Sequence, residues 1–123
     1  MKRTSKRILY VEDMKGTREG MTRYLEGCGY NVYPFANGQE AEDAIKEGLT
    51  FDIAIVDRSL APLGRVTGVS GEDLISKIRE ISKDIPIICL TCYNIKEVRG
   101  ADVVIDKQFN KSQLKKTIEG FVI

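Results

Sequence analysis

The chain has 123 residues, 42% hydrophobic and 30% charged, which is the length and mix of one domain around a single core. Lys and Arg total 19 against 18 Asp and Glu, so the formal charge of +1 supplies no global field for nucleic acid or an anionic membrane. No apolar run approaches the roughly 18 residues of a membrane span, and the absence of histidine excludes Ser-His-Asp and Cys-His catalysis and most zinc sites.

The basic start, Lys2, Arg3, Lys6 and Arg7, has no apolar signal-peptide core behind it and reads as a solvated tail. A first strand is expected over 7–11, where Ile8-Leu9-Tyr10-Val11 runs into Glu12-Asp13. A helix follows over 15–26, with Met21, Leu25 and Cys28 as its inward stripe and Gly27 and Gly29 as its stop. The next strand, 30–35, carries Pro34, the mark of an edge. Asn37 with Glu40 three residues on is a variant capping box. It opens a helix carrying Ala41, Ala44 and Ile45, which Gly48 ends.

Phe51-Asp52-Ile53-Ala54-Ile55-Val56-Asp57 is the centre of the pattern. Its unbroken apolar run, Ile53 to Val56, predicts a strand buried on both faces of a parallel sheet. The loop over 58–70 contains Pro62, Gly64 and Gly68 and exceeds the about 2–6 residues usual for such a connection. It holds neither phosphate-loop glycine pattern. A helix over 71–82 points Leu74, Ile75, Ile78 and Ile81 inward, and a strand over 85–90 runs through Ile87-Ile88-Cys89-Leu90 into Thr91. A short, poorly patterned helix is expected around 95–98, then a strand over 103–105 leading into Asp106-Lys107. Asn110 offers the cap of a last helix striped by Leu114, Ile118 and Phe121. Strands alternating with helices predict an α/β doubly wound parallel sheet.

The cysteines, Cys28, Cys89 and Cys92, are odd in number and without framework spacing, which implies a reduced, cytoplasmic setting. Cys89 and Cys92 form a C-x-x-C, but Cys89 lies inside a strand rather than at a helix N-terminus, so both read as structural.

Ligands of open parallel sheets bind beyond the carboxyl ends of the strands. Glu12, Asp13, Asp57, Thr91 and Lys107 all fall at such ends. Taken singly, each has a plain explanation: an acid as a turn former or cap, Thr91 as a backbone-bonded hydroxyl, Lys107 as a solvated charge. Together they suit a hard cation such as Mg²⁺ and phosphoryl transfer, in which positioning and charge do most of the chemistry. A carboxylate can itself be the nucleophile, and Asp57, ending the central strand, is the best candidate.

These residues resemble the response-regulator receiver domain of two-component signalling, over nearly the whole chain from Arg7 to Phe121. The family's acidic pair is matched by Glu12-Asp13, its phosphoacceptor by Asp57, its hydroxyl by Thr91 and its lysine by Lys107. Gly100-Ala101-Asp102, Gly29-Tyr30 and Gly38-Gln39-Glu40-Ala41 also fit. The resemblance implies a five-stranded parallel sheet in the flavodoxin-like order 2-1-3-4-5, with a shortened fourth helix, in a single receiver domain over 1–123. It implies direct Mg²⁺ contacts from Asp13, Asp57 and the Ser59 backbone carbonyl, with Glu12 acting through water. Thr91 and Lys107 would hold the phosphoryl oxygens. It further implies a non-enzymatic cytoplasmic signalling domain. The phosphoryl donor would be a histidine kinase or phosphotransfer protein and the output an unidentified partner or domain, without direct nucleic-acid or membrane binding.

Several positions depart from the family pattern. Gln108 replaces the usual proline, Val104 replaces the switch aromatic, the 58–70 loop is long and the segment between Thr91 and Lys107 is short. These departures leave a pseudo-receiver, an interaction module that takes no phosphate, as the alternative. A Toprim-like Mg²⁺-dependent nucleic-acid enzyme would need a second acid where Asp57-Arg58-Ser59 has serine.

Overall fold

The apolar runs over 8–11, 53–56 and 87–90 are too continuous to leave one face wet, so the chain must cover the sheet on both sides. The computed structural model describes residues 6–58, 69–91, 97–106 and 111–122. In chain order the elements are β1 (Arg7–Val11), α1 (Lys15–Gly27), β2 (Asn31–Phe35), α2 (Gly38–Lys46), β3 (Ile53–Asp57), α3 (Gly71–Ile81), β4 (Ile87–Thr91), β5 (Val103–Asp106) and α4 (Lys111–Val122). The strands lie in the order β2-β1-β3-β4-β5, and every pair is parallel.

Alternation along the strands divides the core in two. Leu9, Val11, Ala54, Val56, Ile87 and Cys89 face α2 and α3, where Ala41, Leu74, Ile75 and Ile78 meet them. Ile8, Tyr10, Ile53, Ile55, Ile88 and Leu90 face α1 and α4, where Met21, Leu25, Leu114 and Ile118 cover them. The central strand β3 is buried along its whole length. Pro34 lies on β2, an edge strand, where its missing N–H costs no ladder bond.

Local signals act as the residues dictate. The Asn37 side chain accepts from the Glu40 amide at 2.8 Å, and the Glu40 carboxylate reaches back to the Ala36 amide at 3.3 Å. Ser70 and Asp73 form a reciprocal capping box at the start of α3. β4 begins at Ile87, two residues later than the apolar pattern suggests, because Pro86 has no amide to donate. The Pro86 carbonyl still accepts from Ala54 at 3.0 Å.

Two expected inward residues are not in the core. Ile81 is 65% exposed: as the last residue of α3 it carries the stripe past what the sheet can cover. Cys28 is half-buried at the end of α1, where Gly29 turns the chain with φ 101°.

Arg79 ties the far end of the molecule together. Its guanidinium donates to the carbonyls of Gly100 (2.8 Å), Lys83 (3.2 Å) and Ile85 (2.6 Å) and to Asp102 Oδ2 (2.6 Å). The same Asp102 oxygen accepts from the Ile87 amide at 2.8 Å. One planar fork thereby fixes the entries to both β4 and β5. Among the described residues no helix lies between these strands. Most of the 58–70 loop, the first half of the 95–98 segment and the Asn110 cap lie outside the described residues.

Candidate functional site

The site is built by register. β1 pairs with β3 through Val11 and Val56, so the residues that follow, Glu12 and Asp57, emerge side by side. β3 pairs with β4 through Asp57 and Leu90, which sets Thr91 one step beyond. Thr91 in turn pairs with Asp106 on β5. The carboxyl ends of the strands thus share one edge, as a parallel sheet requires.

One carboxylate oxygen each from Glu12, Asp13 and Asp57 lies within 4.8 Å of the others. Glu12 and Asp57 are fully buried, Thr91 is nearly so, and Asp13 is exposed. Like charges this close repel, and burying two of them removes the water that would screen the repulsion. A small divalent cation offsets both costs. The donor set is oxygen only, which fits Mg²⁺ and does not favour a soft metal.

Surrounding groups fix the acids. The Glu12 amide extends the ladder to Phe35 O at 3.0 Å. The Met14 amide donates to Glu12 Oε2 at 3.2 Å. Arg18, from α1, donates Nη1 to the Glu12 carbonyl at 2.8 Å and to the Asp13 carbonyl at 3.4 Å. The acidic pair is therefore held by its backbone and, at Glu12, also by the Met14 amide on its carboxylate. On the other side, the Arg58 amide donates to Leu90 O at 2.8 Å, and Arg58 pairs with Glu72 at 3.7 Å. Gly71 packs so tightly on the exit of β3 that a Cβ there would stand 2.5 Å from Asp57 O and 2.9 Å from Arg58 Cα.

Of the residues expected at the site, Glu12, Asp13, Asp57 and Thr91 come together at this edge. Ser59 and Lys107 lie outside the described residues. Cys89 is buried in β4, and burial is the main reason its thiol is pushed up to about 11, in keeping with a structural role. Sequence reasoning passes over Arg18, Gly71 and Tyr10. The first two act through contacts that only the fold creates. Tyr10 looks like one more apolar residue of β1, yet its hydroxyl is buried and has no hydrogen-bond partner among the described residues. Its pKa is pushed far up, first by burial and then by the charges of Glu12 and Asp57, against an opposing effect of Arg18.

The family model described as response regulator receiver domain matches residues 8–119. Among curated relatives, the chain is 32% identical over 114 residues to a cyclic di-GMP phosphodiesterase of Thermotoga maritima, covering 88% of this chain and 28% of that protein. It is 30% identical over 114 residues to the response regulator MprA of Mycolicibacterium vanbaalenii, covering 88% of this chain and 46% of that one. The chain therefore spans less than half the length of either relative. Among solved structures, a CheY-like response regulator receiver domain protein from Methanospirillum hungatei aligns with TM-score 0.81 at 28% identity, covering 95% of this chain and 93% of that one. The response regulator TrrA of Thermotoga maritima, solved in complex with Mg²⁺ and BeF, aligns with TM-score 0.80 at 31% identity, covering 95% and 99%. The match over residues 8–119, on a sheet of this order with acids at these strand ends, means that the chain belongs to the response regulator receiver domain family.

Proposed function

We propose that residues 1–123 form a single phosphoryl-accepting receiver of two-component signalling, with Asp57 as the acceptor. The observation that carries this reading is the convergence of Glu12, Asp13 and Asp57 within 4.8 Å at the carboxyl edge of the sheet. Asp13, Asp57 and the Ser59 carbonyl would hold Mg²⁺ directly, and Glu12 would act through water. The ion supplies charge neutralisation on the phosphoryl oxygens.

The protein's own residues do the rest. Asp57 sits at the end of a fully buried strand, so its carboxylate is held still for in-line attack. An O–P bond forms at Asp57 while the P–N bond of a donor phosphohistidine breaks, the electron pair leaving on the imidazole nitrogen. Thr91 donates its hydroxyl to one phosphoryl oxygen, and the Lys107 ammonium binds another. No histidine within the chain is needed, because the donor protein, a histidine kinase or phosphotransfer partner, brings it. The domain turns over no external substrate and acts in the cytoplasm on a partner or linked output domain. Val104 has no ring to swing, so the output would run instead through the backbone that leaves Asp57 and Thr91.

Exposure to acetyl phosphate tests this. The wild-type chain should acquire a hydroxylamine-labile phosphoryl group with Mg²⁺ and none with EDTA. Mg²⁺ binding without labelling would favour the pseudo-receiver, and Mg²⁺-dependent nucleic-acid cleavage would favour the Toprim-like enzyme.

A further inference from the structure

β5 closes on an acid, Asp106, that stands outside the Glu12, Asp13 and Asp57 cluster. Asp106 is exposed, and its partner in the parallel register is Thr91, which is 1% exposed. Paired residues of neighbouring strands project to the same face, so the acid stands beside the buried hydroxyl. Both residues are engaged in the fold.

The face they share is the one opposite the Asp57 carboxylate. Asp57 pairs with Leu90, which packs on the α1- and α4-facing side. Thr91, one residue on, follows Cys89 on the α2–α3 side, as Asp106 follows Val104 there. One step past the Asp57–Leu90 pair, the chain leaving β3 brings Arg58 to the other flank of Thr91, with the Arg58 amide donating to Leu90 O at 2.8 Å. A guanidinium has no acceptor atom, and that of Arg58 is paired with Glu72. Of the two side chains that flank Thr91 on neighbouring strands, only that of Asp106 can accept a hydrogen bond from it.

We propose that Asp106 is a positioning residue: its carboxylate accepts the Thr91 hydroxyl in the unmodified chain, and Thr91 exchanges that acceptor for a phosphoryl oxygen when Asp57 is modified. Buried hydroxyls are ordinarily hydrogen-bonded, so Thr91 needs an acceptor before any phosphoryl group arrives. A threonine hydroxyl carries one proton, and its side chain turns between staggered wells. The hydroxyl therefore serves one side of the strand end at a time. Turning toward Asp57 breaks the bond to Asp106 and leaves an exposed carboxylate on β5 without its donor. The change reaches β5 without any ring at Val104. The inference rests on the proposed receiver function, because the exchange needs a phosphoryl group at Asp57.

The test is a double-variant cycle on the full chain: wild type, Asp106→Ala, Thr91→Val and the two combined. Thr91→Val removes the hydroxyl and keeps the shape. Beryllofluoride, a phosphoryl mimic, is titrated by calorimetry with Mg²⁺ present, and urea unfolding is followed with neither present. Asp106→Ala should tighten beryllofluoride binding about 3- to 10-fold more in the wild-type background than in the Thr91→Val background, the size of one net hydrogen bond. Taking a negative charge away from a bound anion acts alike in both backgrounds, so the cycle removes that effect. In urea without ligand the two substitutions should be non-additive, the double variant losing about 3- to 10-fold less in its folding constant than the two single losses combined. Equal tightening in both backgrounds would overturn the proposal, and so would additive losses in urea. Either of those results in a wild type that binds beryllofluoride and is labelled by acetyl phosphate leaves the receiver reading standing. A wild type that neither binds beryllofluoride nor is labelled would refute the receiver reading and the exchange together.

Discussion

Glu12 and Asp13 are consecutive acids with opposite surroundings. The Glu12 side chain is sealed in the interior, while Asp13 faces solvent at the mouth of the cluster. On the proposed function, Asp13 is the acid within reach of a hydrated ion, and its shorter side chain suits direct contact. Asp13→Ala should weaken Mg²⁺ binding at least ~10-fold while changing stability by no more than ~0.5 kcal/mol, as expected for an exposed position. Glu12→Ala should weaken Mg²⁺ binding less. Titrations in the reverse order would contradict the roles assigned to the pair. The convergence of these acids was legible because an apolar strand that stops in a carboxylate is an unusual text. Tyr10 was not legible, because aromatic residues belong in strands and nothing in Ile8-Leu9-Tyr10-Val11 reports where the hydroxyl points.

At the scale of the elements, the junction of β3 with α3 matters most to the site. Gly71 opens α3, and its missing side chain lets the helix start lie against the backbone of the acceptor candidate. Gly71→Ala would push a methyl group to 2.5 Å from Asp57 O, so backbone must shift. The expected cost is ~1–3 kcal/mol of stability, as for other overpacked sites, together with slower labelling of the chain by acetyl phosphate. Gly120→Ala is the control. That position lies in α4, a Cβ there meets nothing within 4 Å, and the substitution should be neutral or slightly stabilising. Equal behaviour of the two variants in melting and labelling would remove Gly71 from the account. The helices themselves were readable from their stripes, since Leu74, Ile75 and Ile78 are buried as the 3.6-residue period demands. Their ends were less so. Ile81 obeys the period but outruns the sheet, and Ser70 with Asp73 forms a capping box that the apolar stripe does not announce. The contact of Gly71 with Asp57 joins residues 14 positions apart in sequence, and no local pattern encodes it.

The whole molecule works as a frame that delivers strand ends to one edge. Five parallel strands in the order β2-β1-β3-β4-β5 put β1 and β3 side by side at the centre, and the acid-bearing exits are those of these two strands. Arg79 ties together the opposite end, where β4 and β5 begin, by hydrogen bonds to Gly100, Ile85 and Asp102. The alternation of apolar strands and striped helices announces the doubly wound sheet, whereas the strand order was legible only through the family resemblance and the Arg79 contacts were not legible at all. Beside β5, Val104 is half-buried against the α2–α3 side of the core and borders an open cleft of about 620 Å³ lined also by Val98, Arg99 and Ala101. A sequence names the valine but does not reveal the space beside it. The central claim, that this frame exists to make Asp57 a phosphoryl acceptor, is tested most directly by locating the phosphoryl group. The chain is labelled with acetyl phosphate and Mg²⁺, reduced with borohydride to convert any acyl phosphate at an aspartate to homoserine, and mapped by peptide mass spectrometry. The account predicts the modification at position 57, and no modification in Asp57→Asn. Modification at any other residue of the wild-type chain, or undiminished modification of Asp57→Asn, would contradict it.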